Sequence, residues 1–266
     1  MVSKFHLAAL ASLTLQFLVA QQAGPAPQNT FRSNSTPPVT SPPGTQPSGN
    51  LVTPEMRGDI FMARKMFREA VETYKEGPAD SAVLMNKTGI GYHQMLDLDT
   101  AKKYYQRAIK LNPSYAEAIN NLGTIEYSRK SYRRAIGDYK KALRFSPNSA
   151  SIYSNLGTAY FARKDYKDAA ATFEHALELD PEVFEHRNSH GVLLQERSVE
   201  ERAKFHFYLA KTYAKAGAND RALLYMRKAI EEGFKDRKKF QQDPEFAALR
   251  ELPEFKQLLA MEPRVL

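Results

Sequence analysis

The sequence predicts an all-α solenoid of about five helix–turn–helix units, on two observations. First, five columns recur at a fixed step of 34 residues. They are Gly89, Gly123 and Gly157; Ala101, Ala135 and Ala169; Tyr105, Tyr139 and Phe173; Ala108, Ala142 and Ala176; and Pro113, Pro147 and Pro181. A constant step of that size marks units that stack because none can bury its apolar face alone. Second, within each unit the residues follow helical spacing. Small residues stand where two helices must approach closely, and an aromatic fills the space between them. Proline ends the second helix because it lacks an N–H and clashes with the preceding turn.

Composition agrees with a packed, water-facing chain. Of 266 residues, 42% are hydrophobic and 26% charged, enough for one or two cored domains. There is no Cys, which excludes disulfides, thiolate metal sites and a Cys nucleophile. The net charge of +8 favours anionic partners without being extreme.

In chain order, residues 1–20 carry Lys4 and then an apolar run to Ala20, with small residues at Ala20 and Ala23. That order reads as a secretory signal peptide with cleavage near 20–23, an uncleaved anchor being the alternative. The location expected is therefore extracytoplasmic, periplasmic or secreted. Residues 21–50, rich in Pro, Ser, Thr and Gln, read as a disordered leader because they offer little apolar surface to bury. Residues 51–81 form a degenerate first unit, with Gly58, Phe67, Ala70 and Tyr74 in the columns but a step of 31 from Ala70 to Ala101. Regular units follow at 82–115, 116–149 and 150–183. Their first helices are expected near 81–95, 115–129 and 150–163, and their second helices near 98–111, 131–145 and 165–179. Asp97, Ser131 and Asp165 stand as caps at the second starts. A stretch at 184–202 breaks the register, since Ala169 to Ala222 is 53 residues. A fifth unit at 203–236 has Ala210, Tyr213, Ala222 and Ala229, with Met226 in the aromatic column. The tail 237–266 holds two Pro-started segments whose Phe246, Leu249, Phe255, Leu258 and Leu259 can cover the open end of the stack.

Column by column, the glycine, alanine, aromatic and proline positions resemble the tetratricopeptide repeat family. The resemblance implies a right-handed solenoid with its first helices on the concave side, and a protein–protein interaction scaffold or adaptor that binds a peptide or helix there. The groove positions it implies are Asn86, Lys87, Ile90 and His93; Asn120, Asn121, Thr124 and Tyr127; and Ser154, Asn155, Thr158 and Phe161. Asn121 and Asn155 share a column in which some family members hydrogen-bond a peptide backbone, since an amide both donates and accepts. The other reading of this pair is that it fixes neighbouring helices. On the peptide reading, replacing both with alanine weakens binding and leaves the thermal midpoint nearly unchanged. The family's clamp for a C-terminal carboxylate lacks its cations here, with Asn86, Ser151 and Asn155 in their places.

Other chemistries are less supported. Basic residues gather at Lys102, Lys103, Arg107 and Lys110 and at Arg133, Arg134, Lys140, Lys141 and Arg144, while residues 150–183 turn acidic. Most of these cations fall on second helices, a solvated face or a contact with anionic envelope surface. Nucleic-acid binding is not expected, because no basic groove is interleaved with aromatics. His186 and His190 stand four apart near His175, His206 and Glu185, the basis for an alternative reading as a metal-dependent enzyme centred on 184–206. No further ligand has motif spacing, so no metal or cofactor is expected. Gly89-Ile90-Gly91 lies within a helix and is no nucleotide loop. With 51–266 taken up by repeats and cap, the chain is read as a binding protein and not an enzyme.

Overall fold

A computed structural model describes residues 52–185 and 198–261. The expected signal peptide, the leader, and His186 and His190 lie outside the described residues. Twelve α-helices and one 3-10 helix follow one another, with no strand among the described residues. Five antiparallel pairs make the stack: α1 (Pro54–Ala63) with α2 (Phe67–Lys75), α3 (Ala82–Gln94) with α4 (Leu98–Leu111), α5 (Ala116–Ser128) with α6 (Tyr132–Phe145), α7 (Ala150–Ala162) with α8 (Tyr166–Leu179), and α9 (Val199–Lys215) with α10 (Asn219–Glu231). None of these helices is long and apolar enough to cross a membrane.

Each second helix buries one stripe. In α4 it is Ala101, Tyr105 and Ala108, and in α6 it is Ala135, Ile136, Tyr139 and Ala142, spacings that keep one helical face inward. First helices bury more of their circumference, as α5 does with Ala118, Ile119, Asn120, Asn121, Gly123, Ile125, Glu126 and Tyr127. They pack on their own partner, on the previous unit's second helix and on one another. Contacts between α3 and α5 and between α5 and α7 place the first helices on the inner side of the curve.

Within each pair the turn is the same. Lys65, Leu96, Lys130, Lys164 and Gly217 take φ between 59° and 75°, and two backbone bonds close the preceding helix. At the third turn Lys130 N donates to Tyr127 O and Ser131 N to Glu126 O, which satisfies the last carbonyls of α5. Four of these five left-handed positions carry a side chain, which costs the chain about 1 kcal/mol each. Of the expected caps, Asp97 accepts from Thr100 N at 3.0 Å. Ser131 and Asp165 make no cap bond, and Asp165 instead pairs with Arg163 at 3.0 Å.

After α8 the register shifts, and α9 begins at Val199, inside the stretch expected as an insertion. The core continues regardless. Phe161 and Phe173 meet Phe205 edge-on, and Phe207 stacks on Phe234 at 4.4 Å. The tail forms α11 (Lys238–Gln242), which the sequence did not announce, the 3-10 helix Pro244–Leu249, and α12 (Pro253–Ala260). Phe240, Phe246, Leu249, Phe255 and Leu258 are buried against the last pair and close the C-terminal end.

Candidate functional site

The inner face is built on rungs between successive first helices. Asn121 Nδ2 donates to Asn86 Oδ1 at 3.0 Å, and Asn155 Nδ2 donates to Asn120 Oδ1 at 3.0 Å. Asn120 Nδ2 lies 3.4 Å from Asn121 Oδ1, which joins the two rungs. The amide of Asn86 also reaches the Tyr115 hydroxyl at 3.4 Å. All four asparagines are buried. One unit earlier the same rung is ionic, with Lys87 Nζ 2.8 Å from Glu55 and 2.6 Å from Asp59. Burial pulls the Lys87 ammonium down, but the bonds to Asp59 and Glu55 outweigh it and its pKa ends raised.

Hydroxyls of the second-helix aromatics reach the same face from behind. Tyr74 donates to Asp59 at 2.8 Å, Tyr139 reaches Thr124 Oγ1 at 3.4 Å, and the Tyr105 hydroxyl lies 3.5 Å from His93 Nδ1. Burial lowers the pKa of His93, so the imidazole is neutral near pH 7. Thr124 and Thr158 turn their hydroxyls back to the carbonyls of Asn120 and Ser154, at 3.2 and 2.8 Å. Tyr127 is buried against Tyr132, and Phe161 against Tyr166, Phe205 and Tyr208.

A tetratricopeptide repeat model matches residues 92–115, a TPR repeat model matches 123–162, and a further tetratricopeptide repeat model matches 150–183. Within the stack, residues 92–115 and 123–183 are tetratricopeptide repeats. Among solved structures, a crystal structure of MamA is 20% identical, covers 66% of this chain and 93% of its own, and has a TM-score of 0.46. MamA from Desulfovibrio magneticus RS-1 is 19% identical over 70% of this chain and 93% of that one, with a TM-score of 0.46. The first TPR of Spaghetti (RPAP3), bound to an HSP90 peptide, is 21% identical over 42% of this chain and 90% of that one, with a TM-score of 0.40. A search of curated proteins returns no match.

The twelve residues expected in the groove divide by their surroundings. Asn86, Lys87, Asn120, Asn121 and Asn155 hold neighbouring units together, and Tyr127, Thr158 and Phe161 are packed within the stack. Ile90, His93, Thr124 and Ser154 are half-buried and border solvent. The expectation that alanine at Asn121 and Asn155 spares the thermal midpoint is corrected by the rungs. Each change strips a buried amide from another buried amide, a loss of about 1–3 kcal/mol. Residues 120 and 155 stand one column apart, so their pairing is offset by 35, and a search at the repeat length of 34 passes over it.

Of the histidines behind the metal alternative, His175 and His206 fall among the described residues. His175 Nδ1 lies 3.0 Å from Glu178 and its ring meets Tyr153 edge-on, while His206 Nδ1 lies 2.6 Å from Glu232. Among the described residues no group of three His, Asp or Glu is placed to hold a metal ion.

Proposed function

We propose that this chain is an extracytoplasmic interaction scaffold that takes a peptide or helix from a partner protein on the inner face of its first helices. The observation that carries the reading is the pair of amide rungs. They fix α3, α5 and α7 as one surface before any partner arrives, so the ordering cost of binding falls on the partner. Ile90, His93, Thr124 and Ser154 are the contacts offered, Ile90 and Thr124 one repeat of 34 residues apart, and the asparagines act by holding those contacts in place. The tetratricopeptide match supports binding over catalysis, and the apolar run after Lys4 supports export.

Crosslinking capture from the native envelope with mass spectrometry tests the face. A variant carrying Ile90→Glu and Thr124→Arg should lose the partner set captured by wild type, while Arg144→Glu on a second helix should keep it. Equal capture by both variants sinks the assignment. N-terminal sequencing tests export: a mature start at about residues 20–23 is expected, and an intact Met1 in a cytosolic fraction overturns it.

A further inference from the structure

A shallow, open depression of about 490 Å³ lies at the turn between α5 and α6, lined by Lys130, Ser131, Tyr132, Arg133, Arg134 and Arg163, whose four cations are exposed. Four of these six are cations. Lys130 comes from the turn, Arg133 and Arg134 from the start of α6, and Arg163 from the end of α7 in the next unit. The surrounding carboxylates are already engaged. Glu126 holds Lys102 at 2.5 Å and is 3.9 Å from Arg134, and Asp165 takes Arg163 through Nε at 3.0 Å. Among the described residues Lys130 and Arg133 have no carboxylate partner.

The repeat supplies its own comparison. One unit earlier, Asp99 pairs with Arg129, the residue equivalent to Arg163. At the position equivalent to Asp99 stands Arg133, so the neutralising carboxylate is replaced by a like charge. The other four second helices each carry an acid in their first turn, Glu69, Asp99, Asp168 or Asp220, and α6 carries none. Like charges gathered around one depression raise the energy of the folded chain, and a multiply charged anion at that point relieves it. Guanidinium forks beside a hydroxyl that makes no cap bond are the donors suited to a tetrahedral oxyanion.

We propose that this depression is an anion site that takes a phosphate group, supplied either as the free ion or as a phosphate-monoester lipid headgroup. The site lies on the turn edge of the stack, apart from the inner face, and does not depend on the reading of that face.

The test uses the full chain and two probes, inorganic phosphate followed by amide chemical shifts, and phosphatidylcholine vesicles with and without phosphatidic acid. Arg133→Asp installs the carboxylate that the previous unit has, and should give Arg163 a second carboxylate partner while keeping or raising the thermal midpoint. Arg133→Gln removes the charge without adding one and guards against a folding defect in the first variant. Saturable shifts at 130–134 with free phosphate, weakened about tenfold or more in both variants, support the site. Binding only to phosphatidic acid vesicles, lost in both variants, supports it with the headgroup as the source. No binding of either probe, or equal binding by wild type and variants, overturns it.

Discussion

A Cβ built on Gly123 would lie 2.8 Å from the ring of Tyr139, a residue with no exposed surface and no room to move. The same opposition recurs at Gly89 against Tyr105 and at Gly157 against Phe173, always sixteen residues apart. In the fifth unit both members change together, to Ala210 and Met226. An added methyl is matched there by an unbranched side chain that yields where a ring cannot. Gly123→Ala alone should therefore cost roughly 1–3 kcal/mol by overpacking. Combining it with Tyr139→Met should cost less than the sum of the single changes, with a coupling of about 1 kcal/mol in a denaturant double-mutant cycle. Strict additivity would mean that the glycine is kept for another reason. Burial, with the nearby Glu126 carboxylate, pushes the Asp138 carboxyl up to about 6 against the partial opposition of Lys141 and Lys102. A raised acid favours the folded state while protonated, and that contribution is lost as pH rises through 6. His93 and His206 work in the other direction, since their lowered pKa values give stability that is lost as pH falls. Comparing wild type with Asp138→Asn isolates the carboxyl. The variant should gain stability on wild type as pH rises from about 4 to 7. A constant difference between the two midpoints over that range would contradict this.

Rungs and stripes belong to the scale of helices, and they were not equally legible. The stripes follow the repeat itself: Ala101, Tyr105 and Ala108 face inward for the reason that Ala135, Tyr139 and Ala142 do, so period and residue type together announce helix, face and partner. The rungs join different columns of adjacent units and change chemistry along the stack, from Glu55–Lys87 to Asn86–Asn121 to Asn120–Asn155. A periodic signal cannot register a bond whose two ends differ in kind and column. The twelve positions were named from sequence as one set, while their division into residues that bond across units and residues that border solvent needed the helices in place. The rungs also predict how the first helices fail. Asn121→Ala leaves Asn86 Oδ1 without its donor and Asn120 Nδ2 without its acceptor, both buried. It should lower stability by about 1–3 kcal/mol, whereas Ser154→Ala at a half-buried position should stay within about 0.5 kcal/mol. Equal effects in thermal or urea unfolding would show that the amide bonds add nothing beyond packing.

Across the molecule the two ends of the stack are finished differently. At the C-terminal end the last pair is covered by α11, the 3-10 helix and α12, and one aromatic-rich core runs from Phe161 to Leu258 across the register shift. Arg237 ties the cap down by donating to the carbonyls of Leu259 and Met261. At the N-terminal end of the described residues, Met56 and Ile60 of α1 are half exposed one turn apart, as is Val52 just before the helix, and the core beneath is small, with Ala70, Tyr74 and Leu84 at its centre. In a solenoid each unit contacts only its neighbours, so stability is local and opening starts where an interface is missing. Amide exchange should therefore rise in protection along the chain. It should be weakest in α1 and α2, intermediate in α3 to α6, and strongest in α9 and α10 beneath the cap. Truncation after Asp243 should reverse the order, because it exposes Phe207 and Phe240 and removes Phe246 and Phe255 from the core. The exchange pattern of the truncated chain then becomes the deciding measurement. Protection that stays highest in α9 and α10 without the cap would mean that the aromatic core across the register shift, and not end closure, sets the stable pole of the stack.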